Sequence, residues 1–242
     1  MKCVALLIRI HDMKKLLFLI NIAIVLLCSC NKKNINPEEQ NLTEEGIKFE
    51  AVDLGLSVKW ASCNVGANTP EEYGDYFAWG ETETRSDYQW FGYKFGTNYS
   101  WPFTKYNTDS LYGTVDNKTV LDPEDDVAHV KLGGKWRMPT EAEWTELREN
   151  CTWTWTDNYN GTGEAGRVVN ASNGISIFLP AAGKREDAQL HNERSFGYYW
   201  SSSLIIDRPR NAYYIYFDSD NVLRGRGDRC LGFSIRPVCP KD

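Results

Sequence analysis

The chain has 242 residues, a formal net charge of −6 and 42% hydrophobic residues. That length suits one domain with a sizeable core. The acidity, with no basic stripe carrying interleaved aromatics, excludes a nucleic-acid binder.

In chain order, Met13-Lys14-Lys15 opens a basic segment ahead of an apolar run, Leu16 to Leu27. The run is too short to span a bilayer. It ends in Leu27-Cys28-Ser29-Cys30, which resembles the lipidation signal of bacterial lipoproteins. The resemblance implies a leader over residues 1–30, with translation starting at Met13, and Cys30 diacylated as the mature N-terminus. The protein is then a membrane-anchored, surface-exposed lipoprotein of the outer membrane. Two or more acyl chains hold a protein on a membrane where one does not. Residues 31–48 are polar and form a flexible tether; the folded domain covers residues 49–240.

Ala51 to Trp60 alternates at period two and predicts a hairpin. Glu71 to Trp79 is aromatic and strand-like, and residues 80–130 are irregular. A long irregular stretch in a compact domain is a functional or packed loop. Thr140 with Glu143 three residues on has the form of a capping box. It predicts a helix from Thr140 to about Asn150 with Ala142, Trp144 and Leu147 on its buried face. Cys151 to Trp155, Ile175 to Pro180, Tyr198 to Trp200 and Tyr213 to Phe217 are predicted strands, and Asn160 to Gly166 is a turn. With nine Trp and thirteen Tyr, large flat side chains fill the core. The expected class is α+β: short strands, one clear helix and long irregular loops.

Four cysteines fall in the domain, Cys63, Cys151, Cys230 and Cys239, without metal-ligand spacing. An exported domain permits a Cys63–Cys151 disulfide, and buried free thiols are the alternative. Asp122, Glu124, Asp125 and Asp126 cluster but lack EF-hand spacing, so a solvated acidic turn is favoured over calcium. His11, His129 and His191 have no spacing relation, and Ser201 to Ser203 lack a nucleophile elbow. No cofactor and no enzymatic activity are expected. The tripeptide Arg226-Gly227-Asp228 matches an integrin-binding motif that occurs often by chance.

Residues 201–238 contain no Lys, Glu, Gln, Met or Trp. Two runs there, Leu204 to Arg210 and Leu223 to Leu231, are irregular between regular frames. Randomising the adenines of an AAC or AAT codon cannot reach those five missing types, and every residue of both runs is reachable. The frames Tyr199-Trp200-Ser201-Ser202, Asn211-Ala212-Tyr213 and Gly232 to Val238 resemble the variable region of diversity-generating retroelement target proteins. In that family an error-prone reverse transcriptase overwrites such a repeat. Val52 to Ala61, Tyr73 to Glu81 and Phe178 to Gly183 resemble the Fibrobacter succinogenes major paralogous domain of Bacteroidetes surface lipoproteins. Trp136 to Trp144 resembles the helix motif of the formylglycine-generating enzyme group. That group's oxidase chemistry needs a cysteine pair, and Cys230 and Cys239 lack its flanking pattern.

The Fibrobacter-domain and formylglycine-group resemblances imply a C-type-lectin-like fold, and the retroelement resemblance implies that it displays two replaceable segments to varied ligands, protein or glycan. The expected contacts are Leu204, Ile205, Ile206, Asp207, Arg208 and Arg210 from the first run. Leu223, Arg224, Arg226, Asp228, Arg229 and Leu231 follow from the second. Asn211, Tyr213 and Tyr214 contribute from the frame. The arginines would take an anionic or carboxylate-bearing partner through planar, bidentate hydrogen bonds. Ile205, Ile206 and Leu223 would be apolar anchors. A non-diversified adhesive or structural envelope lipoprotein is the alternative. A calcium-dependent lectin would need an acidic and amide triad, for which the tail offers only Asp218, Asp220 and Asn221.

Overall fold

The computed structural model describes residues 50–97 and 101–241. The expected leader, Cys30 and the tether lie outside the described residues. Strands β1 (Ala51–Val52) and β2 (Val58–Ala61) form the expected hairpin, and β11 (Val238–Pro240) pairs antiparallel with the other edge of β2. The first and last strands of the domain therefore share one sheet. A second sheet joins β3 (Cys151–Thr156), β4 (Gly166–Ala171) and β5 (Ser176–Pro180). A small hairpin follows, β6 (Lys184–Glu186) with β7 (Gln189–His191). The last sheet has the order β10-β9-β8, from β8 (Gly197–Leu204), β9 (Asn211–Phe217) and β10 (Val222–Asp228). With helices α1 (Val127–Leu132) and α2 (Glu141–Asn150), this is a mostly-sheet α+β fold with one clear helix and several small antiparallel sheets. Among the described residues no helix is long and apolar enough to cross a membrane.

Helix α2 starts as expected. The Thr140 hydroxyl accepts the Glu143 N–H, and Glu143 accepts the Thr140 N–H. Trp144 and Leu147 are buried, but Ala142 is exposed. Ala142 and Trp144 are two residues apart, about 200° around the helix, so they cannot share a face.

Four other expectations need correction. Residues 71–79 are turn and irregular backbone, not a strand; Phe77 bridges Phe233, and the Asp75 and Trp79 N–H groups bond the Val65 and Arg229 carbonyls. Gly74 sits at φ 70° with its α-carbon against the Val65 carbonyl, where a Cβ would lie 2.3 Å away. The aromatic density there marks the core: Tyr76, Phe77 and Trp79 are buried. The 80–130 stretch is irregular and packed, yet it ends in α1, capped by Asp126, whose carboxylate accepts the Ala128 and His129 N–H groups. Strand β4 was not anticipated. The run 223–231 is largely strand β10 rather than a loop.

Sheet β8-β9-β10 separates two apolar clusters, because strand side chains alternate. Trp200, Ala212 and Tyr214 join Trp79, Tyr106 and Phe233 on one side. Tyr199, Ile215 and Phe217 join Trp60, Trp144 and Leu147 on the other. All four cysteines are free thiols, so the Cys63–Cys151 pairing does not form. Cys230 and Cys239 pack into different clusters, which gives no cysteine-pair centre.

Candidate ligand-binding face

Strand β10 is the outer strand of its sheet and pairs with β9 in unbroken register from Val222–Phe217 to Asp228–Asn211. The sequence Arg-Gly-Arg-Gly-Asp is a period-two strand pattern with its glycines turned inward. An added Cβ at Gly225 would lie 2.2 Å from Cζ of Tyr214, and one at Gly227 would lie 3.0 Å from Cε1 of the same ring. The Tyr214 ring thus lies over both glycines, the way an aromatic covers a strand glycine. Burial pushes its hydroxyl up to about 12, so it stays neutral.

On the opposite face, Arg224 and Arg226 are exposed above Tyr213, with their guanidinium carbons 5.2 Å and 6.0 Å from its ring centre. Arg224 also donates to Glu141 Oε1 at 3.0 Å, at the start of α2. The space beneath them, between Trp144, Arg148, Tyr213 and Arg224, is only about 10 Å³, room for about one water. The face is open and shallow, suited to an extended or macromolecular ligand. A roomier cleft of about 500 Å³ lies elsewhere, lined by Glu71, Glu72, Tyr73 and Glu164. There the Tyr73 hydroxyl donates to Glu164 at 2.7 Å.

The structure divides the expected contact residues into displayed and structural ones. Ile206 is 66% exposed and Leu223 43%, and Asp207, Arg208, Arg224 and Arg226 are exposed as well. Tyr213 is half-exposed between the two arginines.

Leu204 and Ile205 are core residues instead. Leu204 packs in the first cluster and bonds the Thr119 carbonyl through its N–H, and Ile205 is 0% exposed. Apolar residues at a strand end turn toward the core, which removes Ile205 as an anchor. Arg229 is also 0% exposed. Its guanidinium carbon lies 4.1 Å from the Phe103 ring, 5.4 Å from Tyr93 and 5.5 Å from Trp79. One nitrogen donates to the Tyr106 carbonyl at 3.0 Å, while Nε and Nη2 have no hydrogen-bond partner among the described residues. Burial pushes its pKa down. No ligand reaches it. Cys230 is buried and its thiol is pushed up to about 12, which makes it inert. Leu231 is half-buried against the first cluster.

Asp228 is tied down at the rim. It accepts from Arg210 Nε and Nη2 at 3.2 and 3.0 Å, from Asn211 Nδ2 at 2.8 Å and from Trp90 Nε1 at 3.2 Å. Arg210 also lies over the Trp90 ring at 4.7 Å. These three tail residues hold one another and the 80–130 loop. Arg226-Gly227-Asp228 therefore sits in a strand with its carboxylate engaged, not at a loop tip.

The acidic group is also structural. Lys105 Nζ lies 2.6 Å from Asp122, 3.0 Å from Glu124 and 2.6 Å from Asp125. Lys94 reaches Asp125 at 2.5 Å, and Lys118 pairs with Asp122. Burial works against the Lys105 charge, yet its bonds to Asp122, Asp125 and Glu124 push its pKa well above the ordinary lysine value. Asp125 is buried, so the expected solvated turn is an ammonium-compensated cluster. Asp218 accepts the Asp220 and Asn221 N–H groups and closes the β9–β10 turn. Ser201 donates to the Tyr213 carbonyl and Ser203 accepts the Glu141 N–H. His129 Nδ1 lies 3.3 Å from the Trp136 carbonyl.

No protein-family model, no curated protein and no solved structure matches this chain.

Proposed function

We propose that the chain is a lipid-anchored, surface-displayed binding protein of C-type-lectin-like fold, with a C-terminal region diversified by a retroelement to bind varied ligands. The observation that carries the reading is where the exposed tail residues stand. Ile206, Asp207, Arg208, Tyr213, Leu223, Arg224 and Arg226 project from one three-stranded sheet and its adjoining turn. All seven residues are of types reachable by randomising adenines. Buried aromatics on both sides of that sheet hold its backbone, so the displayed side chains can change without altering the fold. In this variant Arg224 and Arg226 favour a ligand bearing carboxylates, on a protein or a glycan. The mostly-sheet α+β architecture with one clear helix supports the fold assignment. Lipidation at Cys30 and display at the outer membrane rest on the sequence.

The test is to sequence this gene and its flanks in several isolates. Differences concentrated at codons 206–208, 223, 224 and 226, matching adenines in a nearby template beside a reverse-transcriptase gene, are the expected result. A fixed tail without template or reverse transcriptase would sink the reading. One observation favours a non-diversified adhesive lipoprotein as the second reading: Leu204, Ile205, Arg229 and Cys230, inside the irregular runs, are fixed by packing. That reading predicts the same residues in every isolate.

A further inference from the structure

The proposed contact face borders a free sheet edge, and the hydrogen-bond alternation shows which backbone groups it offers. Antiparallel pairs alternate between residues that exchange both bonds and residues that turn both groups away. The pairing of β9 with β10 is closed at one end by Asp218 N–H to the Asn221 carbonyl and at the other by Arg229 N–H to the Arg210 carbonyl. Counting inward from either bond, Leu223, Gly225 and Gly227 bond β9. Val222, Arg224, Arg226 and Asp228 turn N–H and C=O outward. Val222, Arg224 and Arg226 have no backbone partner outside their own hairpin among the described residues, whereas the Asp228 carbonyl accepts the Leu231 N–H.

Natural edges are blunted by brevity, proline, bulges or charged side chains, lysine above all; Arg224 and Arg226 therefore guard this edge against like-charged strands but not against an acidic one. This one is seven regular residues without Pro or Lys, and the irregularity of the sheet lies on the far side, between β8 and β9. Its two faces differ. One carries Arg224 and Arg226 over Tyr213. The other is nearly flat, with the Tyr214 ring over Gly225 and Gly227 and Leu223 exposed beside Tyr216.

We infer that β10 takes an extended polypeptide of a partner protein as an added antiparallel strand, with acidic residues alternating with apolar ones. The acidic side chains lie opposite Arg224 and Arg226, and the apolar ones cover Tyr214 and Leu223. Main-chain bonds supply affinity in this mode and alternate side chains supply selectivity. A second copy of this chain is a poor occupant, because edge-to-edge pairing sets arginine against arginine, and like charges directly opposite are unfavourable.

The inference rests on the binding-protein reading and deepens it. The test uses the full chain and the hexapeptide Glu-Val-Glu-Val-Glu-Val, with amide hydrogen exchange followed by NMR. The Arg224 and Arg226 amides are expected to exchange at least tenfold more slowly at saturating peptide. A peptide N-methylated at its glutamate amides gives no protection, since those amides face β10. Arg226→Glu weakens the acidic peptide at least tenfold and favours its Lys-Val counterpart. Three results overturn the inference: unchanged Arg224 and Arg226 amides at millimolar peptide, equal protection by the methylated peptide, or concentration-dependent protection without peptide, which would mark self-pairing. The failures are distinguishable, because gene variation at the displayed codons is read independently of peptide binding.

Discussion

Two buried arginines of the tail do opposite things. Arg236, 0% exposed, donates from Nε to Asn64 at 2.9 Å, from Nη1 to the Ala61 and Ser62 carbonyls at 3.0 and 2.5 Å, and from Nη2 to the Phe178 carbonyl at 2.9 Å. It ties the N-terminal hairpin to β5 and to the tail. Arg229 has one such bond and two nitrogens without a hydrogen-bond partner among the described residues, offset by three aromatic rings. Removing one member of a satisfied buried set leaves its acceptors unpaired, whereas an apolar group of similar volume in place of a poorly paired buried charge is often neutral. Arg236→Met is therefore expected to cost about 3 kcal/mol or more. Arg229→Met should stay within about 1 kcal/mol of the parent, because lost ring contacts worth about 2 kcal/mol are set against two freed donors. Urea unfolding of the two variants checks this, and equal losses would show that the rings around Arg229 outweigh its unpaired donors. The sequence held part of this distinction. Once Arg224 and Arg226 are placed on the open face of a strand, period two turns Gly225, Gly227 and Arg229 to the other side. Treating the run as a loop hid that alternation.

At the scale of elements, the start of α2 was legible because capping is local. Pro139-Thr140 and Glu143 carry the whole signal within five residues. A weaker local signal brackets α1, where Asp126 precedes the helix and Gly133 follows it without a capping box. Strand β10 is legible only in its period two and the turns at 71–79 not at all, since Tyr214 over two glycines and Gly74 against Val65 are tertiary contacts. The α2 cap also links stability to pH. Burial would raise the Glu143 pKa, but two bonds from Arg137, at 2.8 and 2.5 Å, and the Thr140 N–H hold it below the ordinary carboxylate value. A folded pKa below the unfolded one stabilises the protein above the unfolded value and loses that contribution as pH falls through the folded one. Glu143→Gln is expected to cost about 1–2 kcal/mol at neutral pH. The gap should narrow as pH drops below about 4, the ordinary glutamate range. Urea unfolding of both proteins across that range checks it, and a gap independent of pH would show that the cap acts by geometry alone.

The molecule as a whole separates a frame from a displayed surface, and the line between them runs through the tail rather than around it. The frame closes on itself, since β11 pairs with β2 and Val238 exchanges bonds with Arg137. Residues up to the last strand are thus needed for the fold, and diversity is tolerable only where a side chain leaves that frame. Randomising residues 206, 207, 208, 224 and 226 should be mild, because exposed substitutions usually cost within about 0.5 kcal/mol. For a domain of this size each shifts Tm by roughly 1–2 °C. Randomising 204, 205, 229 and 230 strikes the core, where truncating a large apolar side chain costs about 2–5 kcal/mol. Two libraries of several dozen clones each, followed by thermal unfolding, test the division. Most of the first should melt cooperatively near the parent, and most of the second should not. If both libraries fold equally well, the packing of Leu204, Ile205, Arg229 and Cys230 does not constrain the tail, and the whole of both runs is open to variation. If both fail, exposure is no guide to tolerance here, and the second reading, a fixed adhesive tail, gains the ground the first loses.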